Sequence, residues 1–386
     1  MKSRQPVVAF VLTLVSVTVF AQDMLRREGS DWILETRGSA PVPLSGLVTV
    51  KTTGGVAVRG GSANRLSFVL RSRVQARSEA DARRLLKPVV LRTVNRGTSL
   101  EFVLGPTRAD LSSDVEFQVP STLQRLVIHS GGGNVSAVNL TGSVEAQSAG
   151  GVLQIDRIGG ELFARTGGGE IHLGTIEGGV KCFSGGGSIS VERCGKESWF
   201  ETAGGDITVR ETGSPVHCST AGGSIRVERA ASSVTAHTGA GRIDVLSAGG
   251  VVMAENSGGS IQVGSAQSVR CESSGGAIRL RNVTGSLRAV TDVGSILAEL
   301  IPGLKLQNST LTTGTGDITV LIPSNLPLTV HAQCDSGRAG RIISEFPEIP
   351  VTQRPASLTA EGALNGGGPL LQISANTGII YLRRQK

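Results

Sequence analysis

Large rings are scarce in this 386-residue sequence: aromatic residues make up 3% of it, and Tyr381 is the single tyrosine. A core built on big aromatic side chains is therefore excluded over most of the chain, and β-branched aliphatics and small residues must fill it. Proline is modest, and the 53 glycines follow no Gly-X-Y period, which excludes collagen. No dense run of Lys or Arg occurs, so nucleic acid is not an expected partner. No P-loop lysine motif is present. The glycine patterns of dinucleotide type are not followed by a helix inside a βαβ unit, so no cofactor is expected. The five cysteines, Cys182, Cys194, Cys218, Cys271 and Cys334, are an odd number, which argues against a complete disulfide framework.

Residues 1–21 read as an export signal. Lys2 and Arg4 form the basic start, Val7 to Phe20 is apolar apart from Thr13, Ser16 and Thr18, and Val19-Phe20-Ala21 is an acceptable cleavage site before Gln22. The run is short for a span of ~20 residues, no cysteine marks a lipid attachment, and no second long apolar run follows. No stable membrane span is expected after cleavage. The expected location is the periplasm, cell surface or medium. Without Lys2 and Arg4 the 38 basic residues fall to 36 against 31 acidic ones, a mild net +5.

What the chain does have is a repeat. "T-A-G-G-D-I-T-V" at 202–209 returns eighteen residues later as "T-A-G-G-S-I-R-V" at 220–227. The second glycine falls at Gly133, Gly151, Gly169, Gly187, Gly205, Gly223, Gly241 and Gly259, then at Gly276 after 17 residues, at Gly294, and more weakly at Gly316. Such a strict period marks a solenoid. Two and four residues after the glycine stand apolar ladders, among them Ile189, Ile207, Ile225 and Ile243, and Val191, Val209, Val227 and Val245. Polar residues lie between them, so this is a strand with one buried face. A second strand precedes the glycine. Its ladder runs Val144, Leu162, Val180, Ser198, Val216, Val234, and its small inward column includes Ala164, Cys182, Phe200, Cys218 and Ala236. Three residues before the glycine is a column of Ser or Thr, from Ser130 through Thr166, Thr202 and Thr220 to Thr291, broken by Asn256. Those hydroxyls are expected to bond along the stack or to the turn.

The predicted fold is all-β: a single-chain parallel β-solenoid (β-helix) of 18-residue coils, two strands each, stacked ~4.8 Å apart. Cys182, Cys218 and Cys271 share the inward phase and read as buried free thiols. The glycine corner is expected either to take positive φ or to allow close backbone approach. The solenoid spans residues 129–320. Residues 22–128 form an irregular N-terminal cap with strands and one helix at about 78–87, opened by Ser78. Residues 321–386 form further coils and a C-terminal cap. "L-V-T-V-K-T-T-G-G-V-A-V" at 47–58 looks like one out-of-phase coil.

An N-terminal "T-T-G-G-V-A-V", a short helix, a strand ending in "V-P", many "T-x-G-G-x-I-x-V" coils, then "G-D-I-T-V-L-I-P" and "N-G-G-G-P-L-L-Q-I-S-A-N-T-G-I-I-Y-L" resemble the bacterial putative-adhesin β-strand-repeat family over essentially the whole mature chain. The resemblance implies a β-solenoid of the cell envelope.

Chemistry is sparse. A calcium ladder needs oxygen ligands on successive turns, and Val152 and Arg242 interrupt the residues that follow the glycines. His129, His172, His217 and His237 fall at outward phases and read as solvated. Asp156, Glu192 and Glu228 share an outward phase, interrupted by Gly174 and Arg210, so paired-carboxylate catalysis lacks support. One anomaly stands out at "E-S-W-F-E", 197–201. Phe163, Arg165, Lys181, Phe183, Trp199 and His217 lie on adjacent coils at outward phases and form a candidate patch for a protein or glycan partner. A one-residue slip that tucks Trp199 inside is the preferred alternative, because it also accounts for Ser198. Three functions follow: a non-enzymatic adhesin or envelope scaffold that presents flat sheet faces to a protein or polysaccharide, a polysaccharide-acting lyase or hydrolase on a β-helix, or a periplasmic partner of a membrane signalling protein. The first is preferred.

Overall fold

The computed structural model describes residues 22–96, 98–105, 111–301, 306–335, 340–355 and 357–385. The expected leader, 1–21, lies outside them. The chain divides into two compact units, one ending at Ser148 and the other starting at Ala149.

The second unit is a parallel β-solenoid. Each 18-residue coil gives one strand to each of two sheets. In the coil that turns at Gly205 the strands are Ser198–Thr202 and Ile207–Thr212. They pair in register with Val216–Thr220 and Ile225–Ala230 of the next coil. The inward ladders are sealed: Ile207, Val209, Ile225, Val227, Ile243 and Val245 have no exposure. Like residues stack on like residues at one-coil spacing, which suits β-branched side chains on a pleated surface.

The Ser/Thr column does both things its sequence position allowed. The hydroxyls of Thr166, Ser184, Thr202 and Thr220 donate to the carbonyls of Gly151, Gly169, Gly187 and Gly205 in the preceding coil, at 2.8, 2.9, 2.9 and 3.0 Å. The same oxygens accept from the corner N–H groups of Gly169, Gly187, Gly205 and Gly223 at 3.2, 2.9, 3.3 and 3.1 Å. One buried hydroxyl per coil thus satisfies a donor and an acceptor that the turn would leave unpaired. The glycines serve close approach rather than unusual torsion. A methyl group on Gly205 would sit 2.4 Å from the Gly187 carbonyl carbon, and one on Gly223 would sit 2.0 Å from the Gly205 oxygen. Positive φ in this column is confined to Gly259, Gly294, Gly316 and Gly378.

All five cysteines are free and buried. Burial in an apolar column pushes the thiols of Cys182, Cys218 and Cys271 far up from their ordinary value, so they stay neutral.

The last coil is not at the end. Strands Leu370–Thr377 and Ile379–Arg384 lie between earlier coils. Leu370–Thr377 pairs with Ser309–Thr315 on one side and Leu328–Asp335 on the other. Ile379–Arg384 pairs with Ile318–Ile322 and Arg341–Ser344. Two antiparallel strands, Ser357–Leu364 and Val351–Gln353, finish this sheet.

The first unit shows the mirror arrangement. The coil formed by Leu47–Thr52 and Val56–Gly61 lies between strands Ser99–Leu104 and Leu111–Pro120 on one side and Arg125–Ser130 and Val135–Leu140 on the other. It is out of phase in sequence but in register in space: Val56 pairs with Val135 and Val48 with Leu126. Outside it the pairing turns antiparallel, through Arg65–Gln75, Asp31–Pro41 and Gln22–Glu28. A buried aromatic cluster packs here, with Phe102 and Phe117 rings 4.9 Å apart and Phe68 against both. The expected helix is Glu79–Leu86, with the Ser78 hydroxyl accepting from Asp81 N and Leu86 buried. No described helix is long and apolar enough to cross a membrane.

Candidate functional site

The sheet that carries the preceding strands has two outward columns, fixed by register. One runs Phe163, Lys181, Trp199, His217, Thr235, Met253; the other runs Arg165, Phe183, Glu201, Ser219, His237, Glu255. All six residues of the patch read from sequence lie on neighbouring strands of this face.

The expected register slip does not occur. Ser198 stays in the Val column with no exposure, Phe200 stays in the small column at 1% exposure, and Trp199 points outward at 37%. Two compensations hold the register. The buried Ser198 hydroxyl donates to the Lys196 carbonyl at 2.8 Å, so it leaves no unpaired polar group. Phe200 supplies volume where Ser198 removes it. A slip would also pull Thr202 off both of its corner partners.

Trp199 is held in a sandwich. The Lys181 ammonium lies 5.6 Å from the ring centre, and the His217 imidazole stacks at 5.2 Å and 7°. Glu197 fixes the imidazole from behind, with Oε1 3.3 Å from Nε2. Lys181 and His217 belong to the strands on either side of Trp199, so the two side chains flank the indole. Phe163 and Phe183 form a second pair, 6.0 Å apart and tilted by 47°.

Next to the sandwich is a cleft of about 430 Å³. Its walls include Phe183, Trp199, Glu201, His217 and His237, and Ser219 and Thr235 lie among the lining residues. The cleft exists because both columns drop from large to small there. That size pattern was readable in the sequence once the columns were aligned, yet Glu201, Thr235 and His237 were not assigned to the patch. Its volume is in the range of small-ligand sites.

Elsewhere many of the outward charged groups pair with one another. Arg210 Nη1 meets Glu192 at 2.8 Å and its Nε lies 4.0 Å from Glu228. Two of the three carboxylates that share this phase, Glu192 and Glu228, are thus bridged by one cation. Asp156 Oδ1 accepts from Thr175 N at 3.0 Å. Four of the histidines gain a carboxylate that sequence spacing did not announce: His172 with Glu170 at 3.1 Å, His217 with Glu197, His237 with Glu255 at 3.9 Å and His331 with Glu361 at 3.2 Å. Among the described residues no three His, Cys, Asp or Glu side chains gather as metal ligands.

No protein-family model matches the chain, and no curated protein matches it. The resemblance to adhesin repeats therefore stands on the order of its motifs. Two solved structures align over most of the length. A putative cell adhesion protein from Clostridium sporogenes is 8% identical over 91% of this chain and 100% of its own, with a TM-score of 0.16. A putative adhesin from Bacteroides fragilis is 10% identical over 91% of this chain and 97% of its own, with a TM-score of 0.21. Likeness at these scores carries neither fold nor role across.

Proposed function

We propose that the protein is an exported, non-enzymatic β-solenoid that binds a protein or glycan of the cell envelope through the face bearing Trp199. The observation that carries this reading is the gathering of Lys181, Phe183, Trp199 and His217 around one cleft, with Phe163 against Phe183 and Arg165 on the strand beside it, on a sheet whose inward positions are committed to packing. Rigid aromatics beside polar groups are the usual anchors of recognition surfaces. Lys181 and His217 flank the indole, so contact is through the ring edges of Trp199 and Phe183 and through the Glu201 carboxylate, which meets no cation among the described residues. Stacking of a sugar on the open face of a tryptophan is not the mode. The adhesion names attached to the two solved structures agree with this reading and add no weight to it. The polysaccharide-acting alternative is disfavoured because Arg210 occupies Glu192 and Glu228.

Two measurements test the proposal. A reporter fused after residue 21 should be exported, and mutation of Lys2 and Arg4 should reduce export. Residues 22–386 should co-sediment with, or cross-link to, an envelope component, and Trp199→Ala should weaken that at least tenfold with an unchanged circular dichroism spectrum. A Trp199→Ala chain that binds as the native one does removes the aromatic face from the account.

A further inference from the structure

The other sheet of the second unit carries a different feature, independent of the aromatic face. The residue directly after a corner glycine can direct its backbone N–H to the side chain at the same position one coil away. In two coils of this unit, and in one coil of the first unit, an aspartate meets it. Asp206 Oδ1 accepts from Ser224 N at 2.7 Å, Asp317 Oδ1 from Ile379 N at 2.8 Å, and Asp114 Oδ1 from Gly55 N at 2.9 Å. In a fourth, Ser224 Oγ accepts from Arg242 N at 3.4 Å. The chain itself thus shows that this N–H position takes an anionic oxygen.

In the three coils that follow, the position holds Ser260, Ala277 and Ser295. Their N–H groups have no acceptor among the described residues. They form a row at one-coil spacing, ~4.8 Å, and the small side chains leave a trough of about 230 Å³. Arg242 and Arg279 are among its lining residues, with Gln262, and no acidic residue contributes. On the same sheet Arg226, Arg229 and Arg281 each meet a carboxylate at 2.7, 3.2 and 3.1 Å. Arg242 and Arg279 meet none among the described residues. A row of open N–H donors with guanidinium groups beside it and no competing carboxylate is the composition of an anion site.

We propose that this trough binds an anionic oxygen group, a carboxylate or a phosphate, in the place that Asp206 fills for Ser224. The test is amide NMR on the mature chain, titrated with inorganic phosphate, with trigalacturonate, with the methyl ester of trigalacturonate and with sodium chloride at matched ionic strength. Phosphate, trigalacturonate or both should move the Ser260, Ala277 and Ser295 amides saturably, and the responding anion tells phosphoryl from uronate ligands. The ester and chloride should not move them. An Arg242→Gln/Arg279→Gln chain should bind at least tenfold more weakly with its remaining spectrum in place. Ser260→Asp, which hands the Ala277 N–H an internal carboxylate, should abolish binding. Equal shifts with chloride or the ester, or unchanged binding by the double glutamine chain, would overturn the assignment.

Discussion

Gly205→Ala and Gly204→Ala differ by one position and should have opposite effects. A methyl on Gly205 would lie 2.4 Å from both the carbon and the oxygen of the Gly187 carbonyl and 2.5 Å from Ser188 N. Ordinary contacts between such atoms are about 3.5–4 Å. The overlap exceeds 1 Å, and the obstacle is backbone. Nor can Gly187 retreat freely, because Thr202 Oγ1 holds its carbonyl at 2.9 Å. Overpacking costs about 1–3 kcal/mol and a lost hydrogen bond adds about 1 kcal/mol, so the change should destabilise by roughly 2–4 kcal/mol. A methyl on Gly204 meets only Gly186 O at 3.8 Å, and its φ is not positive. It restricts the unfolded chain and should stabilise by about 0.4–1 kcal/mol. At about 2–4 °C per kcal/mol for a unit of this size, calorimetry should show Gly205→Ala melting roughly 5–15 °C below the native chain and Gly204→Ala at or slightly above it. Hydrogen exchange at the Ile207 and Ile225 amides should localise the loss, since a stacked repeat loses stability at the altered interface. If the two variants melt together, close approach is not what fixes glycine at the corner.

Asn256 interrupts the hydroxyl column. Its Nδ2 reproduces the donation, to Gly241 O at 3.4 Å and Gly259 O at 3.0 Å, but Oδ1 is buried without a partner among the described residues. Asn256→Thr should relieve it and raise stability by about 1 kcal/mol, measured by calorimetry; a loss would show that the asparagine shapes the unusual Gly259 corner. Acid should act first on the unit that ends at Ser148. The hydrogen bond from Arg37, helped by Arg71, holds the Glu35 carboxyl below its ordinary value against its burial, and Lys51 does the same, more than Arg96, for Glu101. A depressed folded value contributes stability present above the ordinary carboxylate range and lost as pH falls through the folded value. Unfolding curves below about pH 4 should therefore be shallower for Glu35→Gln and Glu101→Gln than for the native chain.

The coils were legible because their determinants are local and repeated. Period two puts Ile207 and Val209 on one face, and a period of 18 puts Ile225 and Val227 over them. That residues 47–58 form a coil was legible too, but the places where the interposed coils insert were not. Leu47–Thr52 sits against Arg125–Ser130, and Leu370–Thr377 between Ser309–Thr315 and Leu328–Asp335, because open edges with matching inward ladders pair wherever they meet in space. No spacing in the chain encodes that choice. The same divide runs through the site. The outward phase of Phe163, Lys181, Trp199 and His217 follows from counting, but the sandwich around the indole depends on rotamers across three coils and on Glu197, which the ladders do not distinguish from any other outward glutamate. Ser198 and Phe200 each break the ladder, but together they compensate in volume, and the register holds without a slip.

That pairing of Ser198 with Phe200 has a consequence for where function can arise. An inward position is held by its neighbours above and below, by the hydroxyl clamp and by the glycine contact, so one foreign residue there must be answered by a second in the same coil. Outward positions carry no such constraint, and each can change without disturbing the stack. Sites on this scaffold should therefore appear where an outward column departs from its own size or charge pattern. Both surfaces found here do so. The cleft beside Trp199 opens where large residues give way to Ser219 and Thr235, and the trough beside Arg242 opens where the acceptor supplied by Asp206 and then Ser224 is replaced by an arginine. The strictness of the interior leaves the exterior free, and those two departures are where ligand contact is to be sought.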